Sequence, residues 1–453
     1  MRGGFLILDF ITSVLDIKQE IVKSIDSYTL KNNTLVIRIT LNQKHLPCPK
    51  CGQLTSSVKD YNEKLIKHAL FNHRACLIHY RKRRYTCVPC IHHFYEEDPF
   101  TAANDKISKL TIMNILKDLK VVSTTFKEVA QRNLVTDTTV MNIFDTYVDI
   151  PRNKLPEVLC IDEIYSNRSK KNKYDCVLMN FETSEIIDVL PSRHLYELRK
   201  YFSEIDLVER EKVKVASIDM WDSYKTITVQ YLKNAIICVD SFHVMKSIND
   251  ALNQIRRRVM NKQKENSNSY YLLKKFWWVI TKNETDLSYQ LRSNRKLKRQ
   301  LSQRDILNEI RKIDPDIAIA HAIKEKYSYL NGHCNLSNIA THLSDFLNEL
   351  ASIPIDELQT VYKTIKNWKP EIINSFTVMY GRRVSNGPIE SLNGRIKTIK
   401  KCGNGFTNFK RFRNRVMYAL NKTANPNLAG TGVVIKREGK KRGPYKKKKS
   451  QQI

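Results

Sequence analysis

The sequence is short of acidic residues, of long apolar runs and of any internal repeat. Only 46 Asp and Glu stand against 77 Lys and Arg, a formal charge of +31 over 453 residues. Such an excess repels itself and opposes compaction unless a polyanion neutralises it. Nucleic acid is the first candidate and a membrane surface the second. Unbroken apolar stretches such as Phe276-Trp277-Trp278-Val279-Ile280 fall far short of the roughly 20 residues that span a bilayer, so no membrane role is expected. Near the start, Phe5 to Leu8 is apolar, but Asp9 and Asp16 interrupt it and no small-residue cleavage site follows. It reads as a packed helix and not as an export signal. A chain that stays in a reducing cytosol uses cysteine pairs for metal and not for disulfides. With 42% hydrophobic residues, wholesale disorder is excluded.

Five of the ten cysteines precede residue 99, and four of them form two CxxC pairs, Cys48-Pro-Lys-Cys51 and Cys87-Val-Pro-Cys90. Two thiolates from one tight turn reach a single tetrahedral Zn2+, and a second turn closes the site. A closed four-thiolate site leaves no position for water, so its role is structural: metal supplies folding energy that a small charged unit lacks. Two unrelated pairs of buried thiols are the plain alternative. His73, Cys76 and His79 lie between the pairs and read as ordinary strand residues. The run Arg81-Lys82-Arg83-Arg84 leads into the second pair, and Arg81, Arg83 and Arg84 are candidate phosphate contacts.

A helix capped by Thr124 or Thr125 is expected through residue 133, then a turn at 134–136, then a second helix capped by Asp137. Two short helices around a tight turn match the helix-turn-helix, whose second helix enters a major groove. Thr138, Thr139 and Asn142 are the candidate base-facing residues, although any helical hairpin gives this pattern.

Beyond residue 157 the pattern changes to β-rich runs. Strands are expected at 158–164, 174–181 and 185–190, then helix at 194–205, a fourth strand at 213–219 and a fifth at 234–240. Three hairpin-type strands followed by alternating helix and strand is the element order of an RNase H-like domain. The first strand carries the carboxylates Asp162 and Glu163 near its end, and the fourth and fifth end in Asp219 and Asp240. A lone strand-end Asp is usually a turn former. Clustered carboxylates raise each other's pKa unless a cation lies between them, and Mg2+ takes hard oxygen ligands. Two such ions ~4 Å apart activate a nucleophile and stabilise the leaving oxygen. Further on, Ile389, Leu392, Ile396 and Ile399 make one apolar helix face. Glu390, Asn393, Lys397 and Lys400 line its edge, a carboxylate with cations on one stripe. That stripe suits a helix between metal and phosphates, or simply a solvated charged face.

Taken together, CxxC…CxxC, YTCVPC, IDE at 161–163, IDMWDSY at 218–224, VDSFHVMK at 239–246 and PIESLNGRIK at 388–397 resemble the ISL-three family of insertion-sequence transposases. The resemblance runs from about residue 48 to 420. It implies a DDE transposase whose two Asp and one Glu hold divalent metal (Mg2+ or Mn2+), and by matching motif these are Asp162, Asp219 and Glu390. It also implies a helical insertion between the second and third acids. Ser241 departs from the Asp-Arg-Phe-His form of the motif, which leaves the roles of Asp240 and His243 open, with a structural role for both one reading.

The expected architecture is therefore α+β / α/β: an RNase H-like mixed sheet with helices, a large helical insertion, an N-terminal zinc ribbon and a helix-turn-helix. Its expected parts are 1–99 (N-terminal segment and ribbon), 100–150 (helix-turn-helix), 151–240 (first part of the catalytic domain), 241–380 (insertion), 381–425 (second part of the catalytic domain) and 426–453 (basic tail). The expected function is binding of terminal inverted repeats, metal-dependent cleavage and strand transfer. The expected partners are double-stranded DNA, at the element ends and the target, and further copies of the chain on that DNA. The expected location is the bacterial cytoplasm, at the nucleoid. A non-catalytic zinc-dependent regulator derived from a transposase and an RNase H-like nuclease are the alternatives.

Overall fold

A computed structural model describes residues 12, 15, 17–71, 74–101, 106–166 and 172–427. The apolar segment at 5–8, His73 and the basic tail lie outside the described residues.

The first sheet is built from β1 (Val22–Thr29), β2 (Leu35–Leu41), β5 (Val58–Phe71), β6 (Arg74–Cys87) and β7 (His92–Tyr95), with the short hairpin β3 (Leu46–Pro47) and β4 (Leu54–Thr55) beside it. Strand alternation sets its core: Cys76, Ile78 and Tyr80 of β6 join Ile37, Ile39 and Ile66. In the second half of β6 the buried positions are Arg83, Tyr85 and Cys87, so the covered face switches within one strand. The cover itself changes, since β2 pairs with the strand only as far as Tyr80 and β7 takes over at Arg84.

Three helices follow: α1 (Lys109–Asp118), α2 (Phe126–Arg132) and α3 (Asp137–Tyr147). Thr125 and Glu128 close a reciprocal capping box on α2. The cap of α3 is Thr136, whose hydroxyl accepts from the Thr139 amide, and not Asp137 as its sequence suggests. Between the helices Leu134 takes φ 49, a left-handed turn residue.

The second sheet has the order β10 (Ile186–Leu190), β9 (Tyr174–Asn180), β8 (Val158–Tyr165), β11 (Val215–Ile218) and β12 (Ile236–Val239). Its first three strands are antiparallel, and β11 and β12 run parallel to β8. Such strands are covered on both faces, which explains their almost continuous apolar runs. Leu159 and Ile161 of β8 face one core; Val158, Cys160 and Ile164 face another. The first core also takes in α4 (Leu195–Ser203), α6 (Asp222–Tyr231) and the insertion, with α5 (Leu207–Arg210) in the loop between α4 and β11. The insertion comprises α7 (Ser241–Lys262), α8 (Asn268–Lys275), α9 (Trp277–Thr281), α10 (Gln303–Arg311), α11 (Pro315–His333), α12 (Ile339–Ser352), α13 (Asp356–Asn367) and α14 (Lys369–Asn374). A hairpin, β13 (Arg292–Asn294) with β14 (Arg299–Leu301), projects from it. The chain then forms the two-residue pair β15 (Val378–Met379) and β16 (Arg382–Arg383), and returns to the second core through α15 (Gly387–Cys402) and α16 (Phe409–Leu420), against which α1, α2 and α3 also pack. This is the mixed sheet with helices of an RNase H-like fold. Among the described residues no helix is long and apolar enough to cross a membrane.

Candidate active site and zinc centre

The acids are brought together by strand register. Ile218 pairs with Ile161 on one side and with Val239 on the other, so the next residues, Asp162, Asp219 and Asp240, fall in a row across three adjacent parallel strands at the carboxyl edge of β11 and β12, with Asp162 inside β8, which runs on to Tyr165. That edge is where open α/β sheets place their binding crevice. All three are buried, at 8%, 7% and 4% exposure. Alternation points Asp162 to the same face as Cys160, and Asp219 to the same face as Ser217, which is the face that α15 covers.

Helix α15 closes the site. Its apolar stripe of Ile389, Leu392, Ile396 and Ile399 is buried as the spacing predicts. Beside that stripe, Asn386, Glu390 and Asn393 recur at one-turn intervals. Asn386 Nδ2 donates to Asp219 Oδ1 (2.9 Å) while its Oδ1 accepts from Ser217 (2.7 Å). Asn393 Nδ2 donates to Asp162 Oδ2 (2.6 Å). His243, on the first turn of α7, lies 2.9 Å from the same Asp219 oxygen through Nε2. Asp240 caps that helix at the Phe242 amide. Ligand oxygens of Asp162, Glu163 and Asp219 lie within 4.8 Å of one another, and so do one ligand atom each of Asp240, His243 and Glu390. The three acids of the motif are thus divided between two adjoining groups, with His243 at their junction.

The electrostatics fit a cation. Burial, then the charge of Asp219, pushes Asp162 up to about 8. Desolvation and the charges of Asp240 and Asp219 also raise Glu390. Burial raises Glu163 although Arg193 pairs with it at 2.5 Å. For His243, burial opposes the charge, but the bond to Asp219 and the charges of Asp219 and Asp240 outweigh it and raise its pKa. Among the described residues the buried Oδ1 of Asn393 finds no hydrogen-bond partner. A set of hard carboxylate oxygens, one holding a proton it would lose to a metal, beside an orphaned amide oxygen, suits a divalent cation with oxygen preference.

At the ribbon, all four sulfurs of Cys48, Cys51, Cys87 and Cys90 lie within 4.8 Å of one another. Cys48 and Cys90 are 3.6 Å apart, and Cys51 and Cys87 3.5 Å. A tetrahedron with Zn–S bonds of ~2.3 Å has edges of about 3.8 Å, close to these separations and far from a disulfide bond of ~2.05 Å. The β3–β4 hairpin carries the first pair, where Gly52 takes φ 75 and donates to the Cys48 carbonyl (2.8 Å). The β6–β7 hairpin carries the second. Cys76 is a buried strand residue, and His79 pairs with Glu63; neither belongs to the cluster.

The candidate DNA contacts divide. Arg81 and Arg84 reach the surface, beside Glu63 and Asp60. Arg83 does not: it is 4% exposed, pairs with Glu96 (3.2 Å) and donates to the carbonyls of Leu41 and Asn42. Its guanidinium is committed inside the ribbon, which removes it from the phosphate contacts that the basic run suggests. Thr138 and Asn142 are exposed on α3, whereas Thr139 is half-buried and bonds Thr136 (2.8 Å). Lys397 is exposed, and Lys400 donates to the Tyr165 carbonyl (2.5 Å). Sequence reading missed Asn386 and the pairing of Asn393 with Asp162, and left His243 without a place. The available signal was the spacing of Asn386, Glu390 and Asn393 along one helix edge.

Two family models match the chain. A family model described as transposase, of the ISL3 DDE type, matches residues 159–416. A second, the zinc-finger of transposase IS204/IS1001/IS1096/IS1165, matches residues 46–90. A protein of Lactococcus lactis subsp. lactis described as an ATP-dependent protease is 26% identical over 117 residues, 26% of this chain and 35% of that one. The chain thus spans about a third of the length of this curated relative. From the family match over more than half of its length, the chain belongs to the ISL3 family of DDE transposases.

Proposed function

We propose that the protein is the transposase of an insertion sequence, which binds the element's terminal inverted repeats, cleaves the DNA at them and joins the freed 3′ ends to target DNA. The observation that carries this reading is the meeting of two carboxylates on neighbouring strands, Asp162 within β8 and Asp219 just beyond β11, with the helix that bears Glu390. These three side chains are the proposed holders of Mg2+ or Mn2+. When bound, the cation supplies charge neutralisation at the phosphodiester and activation of the nucleophile. Asn393 and Asn386 fix the direction of the Asp162 and Asp219 carboxylates, and His243 holds Asp219 from the opposite element. Asp162 gives up the proton it retains up to about 8 when the site is loaded. Positioning and charge are the whole of this catalysis, so no Ser or Tyr nucleophile is required.

Recognition is assigned to the ribbon and the helix-turn-helix in residues 1–150, with Arg81, Arg84, Thr138, Thr139 and Asn142 meeting DNA. Lys397 and Lys400 are assigned to the strand that enters the acidic site. The 241–380 insertion and the tail add charge. Two ends must be processed together, so the acting form is an oligomer on DNA at the nucleoid. The test is incubation of the full chain with a duplex carrying its own element ends and Mg2+ or Mn2+, with the cut positions mapped. Cuts at both ends followed by joined products are expected. Asp162→Asn should abolish cleavage and keep end binding. Binding with no cutting by the wild-type chain would favour a regulator, and unordered cutting a general nuclease.

A further inference from the structure

The insertion carries a second site that the acidic centre does not use. Where α8 and α9 meet the β13–β14 hairpin lies a cavity of about 350 Å3. Its walls include the rings of Tyr271, Phe276 and Trp278. Tyr271 and Phe276 meet edge to face, at 84° and 5.8 Å between centroids. Gln290, Asn294 and Gln303 also line it, with Asn294 Oδ1 accepting from the Tyr271 hydroxyl (3.3 Å) and Gln303 Oε1 from the Ser288 amide (3.2 Å). Carboxamides are the side chains that match the donor and acceptor edges of nucleobases, and aromatic rings are the surfaces on which bases stack.

The rim has the charge of a phosphate-binding surface. The segment Arg292-Ser-Asn-Arg295-Lys296-Leu-Lys298-Arg299 holds five cations and no acid. Arg299 pairs with Glu309 (3.0 Å), whereas Arg292, Arg295, Lys296 and Lys298 are exposed and have no ion pair among the described residues. Lys275 stands over Tyr271 and Phe276, at 5.3 and 5.7 Å from their centroids. Trp277, between Phe276 and Trp278 in the chain, is 47% exposed. Cations left without carboxylates call for a polyanion, and a base that enters a cavity must first leave its stack.

We infer that this cavity takes an unpaired nucleotide at the end of the bound DNA, with its base against Tyr271, Phe276 and Trp278 and its phosphates on the hairpin. The inference rests on the transposase reading, because it presumes that a DNA end is what the chain holds. It differs from that reading in needing no cleavage.

The test compares two duplexes with the same end sequence, taken from the flanks of the gene. One is blunt and the other has a short single-stranded overhang whose outermost base is 2-aminopurine. Binding to the full chain is measured without divalent cation, by anisotropy and by 2-aminopurine emission. The wild type should bind the overhang about tenfold more tightly than the blunt duplex, the size of one stacking contact, and should quench the probe. Trp278→Leu should lose both the preference and the quenching while blunt binding stays the same. Trp278 is partly packed on the insertion core, so Lys275→Glu, at an exposed wall, is the second cavity variant and should also lose the preference. Arg295→Glu should weaken binding to both duplexes. A wild type without the preference, or cavity variants that keep preference and quenching, would overturn the inference. If those variants keep the preference while the wild type cuts with Mg2+, only the cavity assignment fails. If the preference behaves as expected but the wild type never cuts, only the transposase reading fails.

Discussion

Asp162 is buried next to Asp219, and a carboxylate in that position must take either a proton or a cation. Its pKa is raised from 3.8 in the free side chain to about 8 in the fold. A raised folded pKa means that its contribution to stability is fully present below about pH 4 and is lost as pH rises through about 8. The metal-free protein should therefore melt at progressively lower temperature from pH 5 to 8, and the rise in melting temperature on adding Mn2+ should grow over the same window. A Mn2+ effect independent of pH would contradict the assignment. Asn393 is an orienting partner of the kind whose loss typically costs about 10- to 100-fold in activity or metal affinity. Asn393→Ala should show such a loss in cleavage, partly recovered by more Mn2+, and wild-type behaviour would remove its role. The sequence revealed Asp162 and Asp219 because each interrupts or closes an apolar strand that reads clearly, although β8 runs on past Asp162 to Tyr165. It did not reveal which carboxylates the amides meet: Asn386 opens a helix and carries no charge, and only its spacing from Glu390 and Asn393 sets it apart from an ordinary turn residue.

At the level of elements, the succession of strands in the second sheet was legible because they are apolar on both faces and are separated by turn residues. Arg83 was not legible. Alternation along β6 separates its positions, but where one cover gives way to another depends on the distant partners β2 and β7. Breaking its buried pair with Arg83→Ala should cost about 3–5 kcal/mol in denaturant unfolding, whereas Arg81→Ala at the surface should cost at most about 1 kcal/mol. Equal effects would contradict the burial. The ribbon's apolar core shares no residue with the two cores of the second sheet. Zinc chelation, or Cys87→Ser, should therefore strip hydrogen-exchange protection from residues 46–95 and leave protection in β8 and β11. Joint loss in both regions would show that the ribbon does not fold as its own unit. The packing of the insertion had no comparable signature, since helical spacing gives each helix a buried face but does not say which helix it meets. The pair Trp277 and Trp278 shows this: adjacent on one helix, one is exposed and the other packs on the core.

Over the whole molecule, the +31 charge implies a DNA affinity dominated by phosphate contacts and falling steeply with salt. The same charge gives no help in finding the acidic centre, whose members lie up to 228 positions apart (390 − 162) and meet only because β8, β11 and α15 pack together. Glu390 decides whether that meeting makes one working site, since it stands in the group with Asp240 and His243 and not in the group with Asp162 and Asp219. The most direct measurement is cleavage of an end-bearing duplex in Mg2+ by Glu390→Gln, with end binding followed in parallel. One shared cation site predicts binding like that of the wild type and no detectable cleavage. Cleavage at the wild-type rate would show that residue 390 has no part in the chemistry.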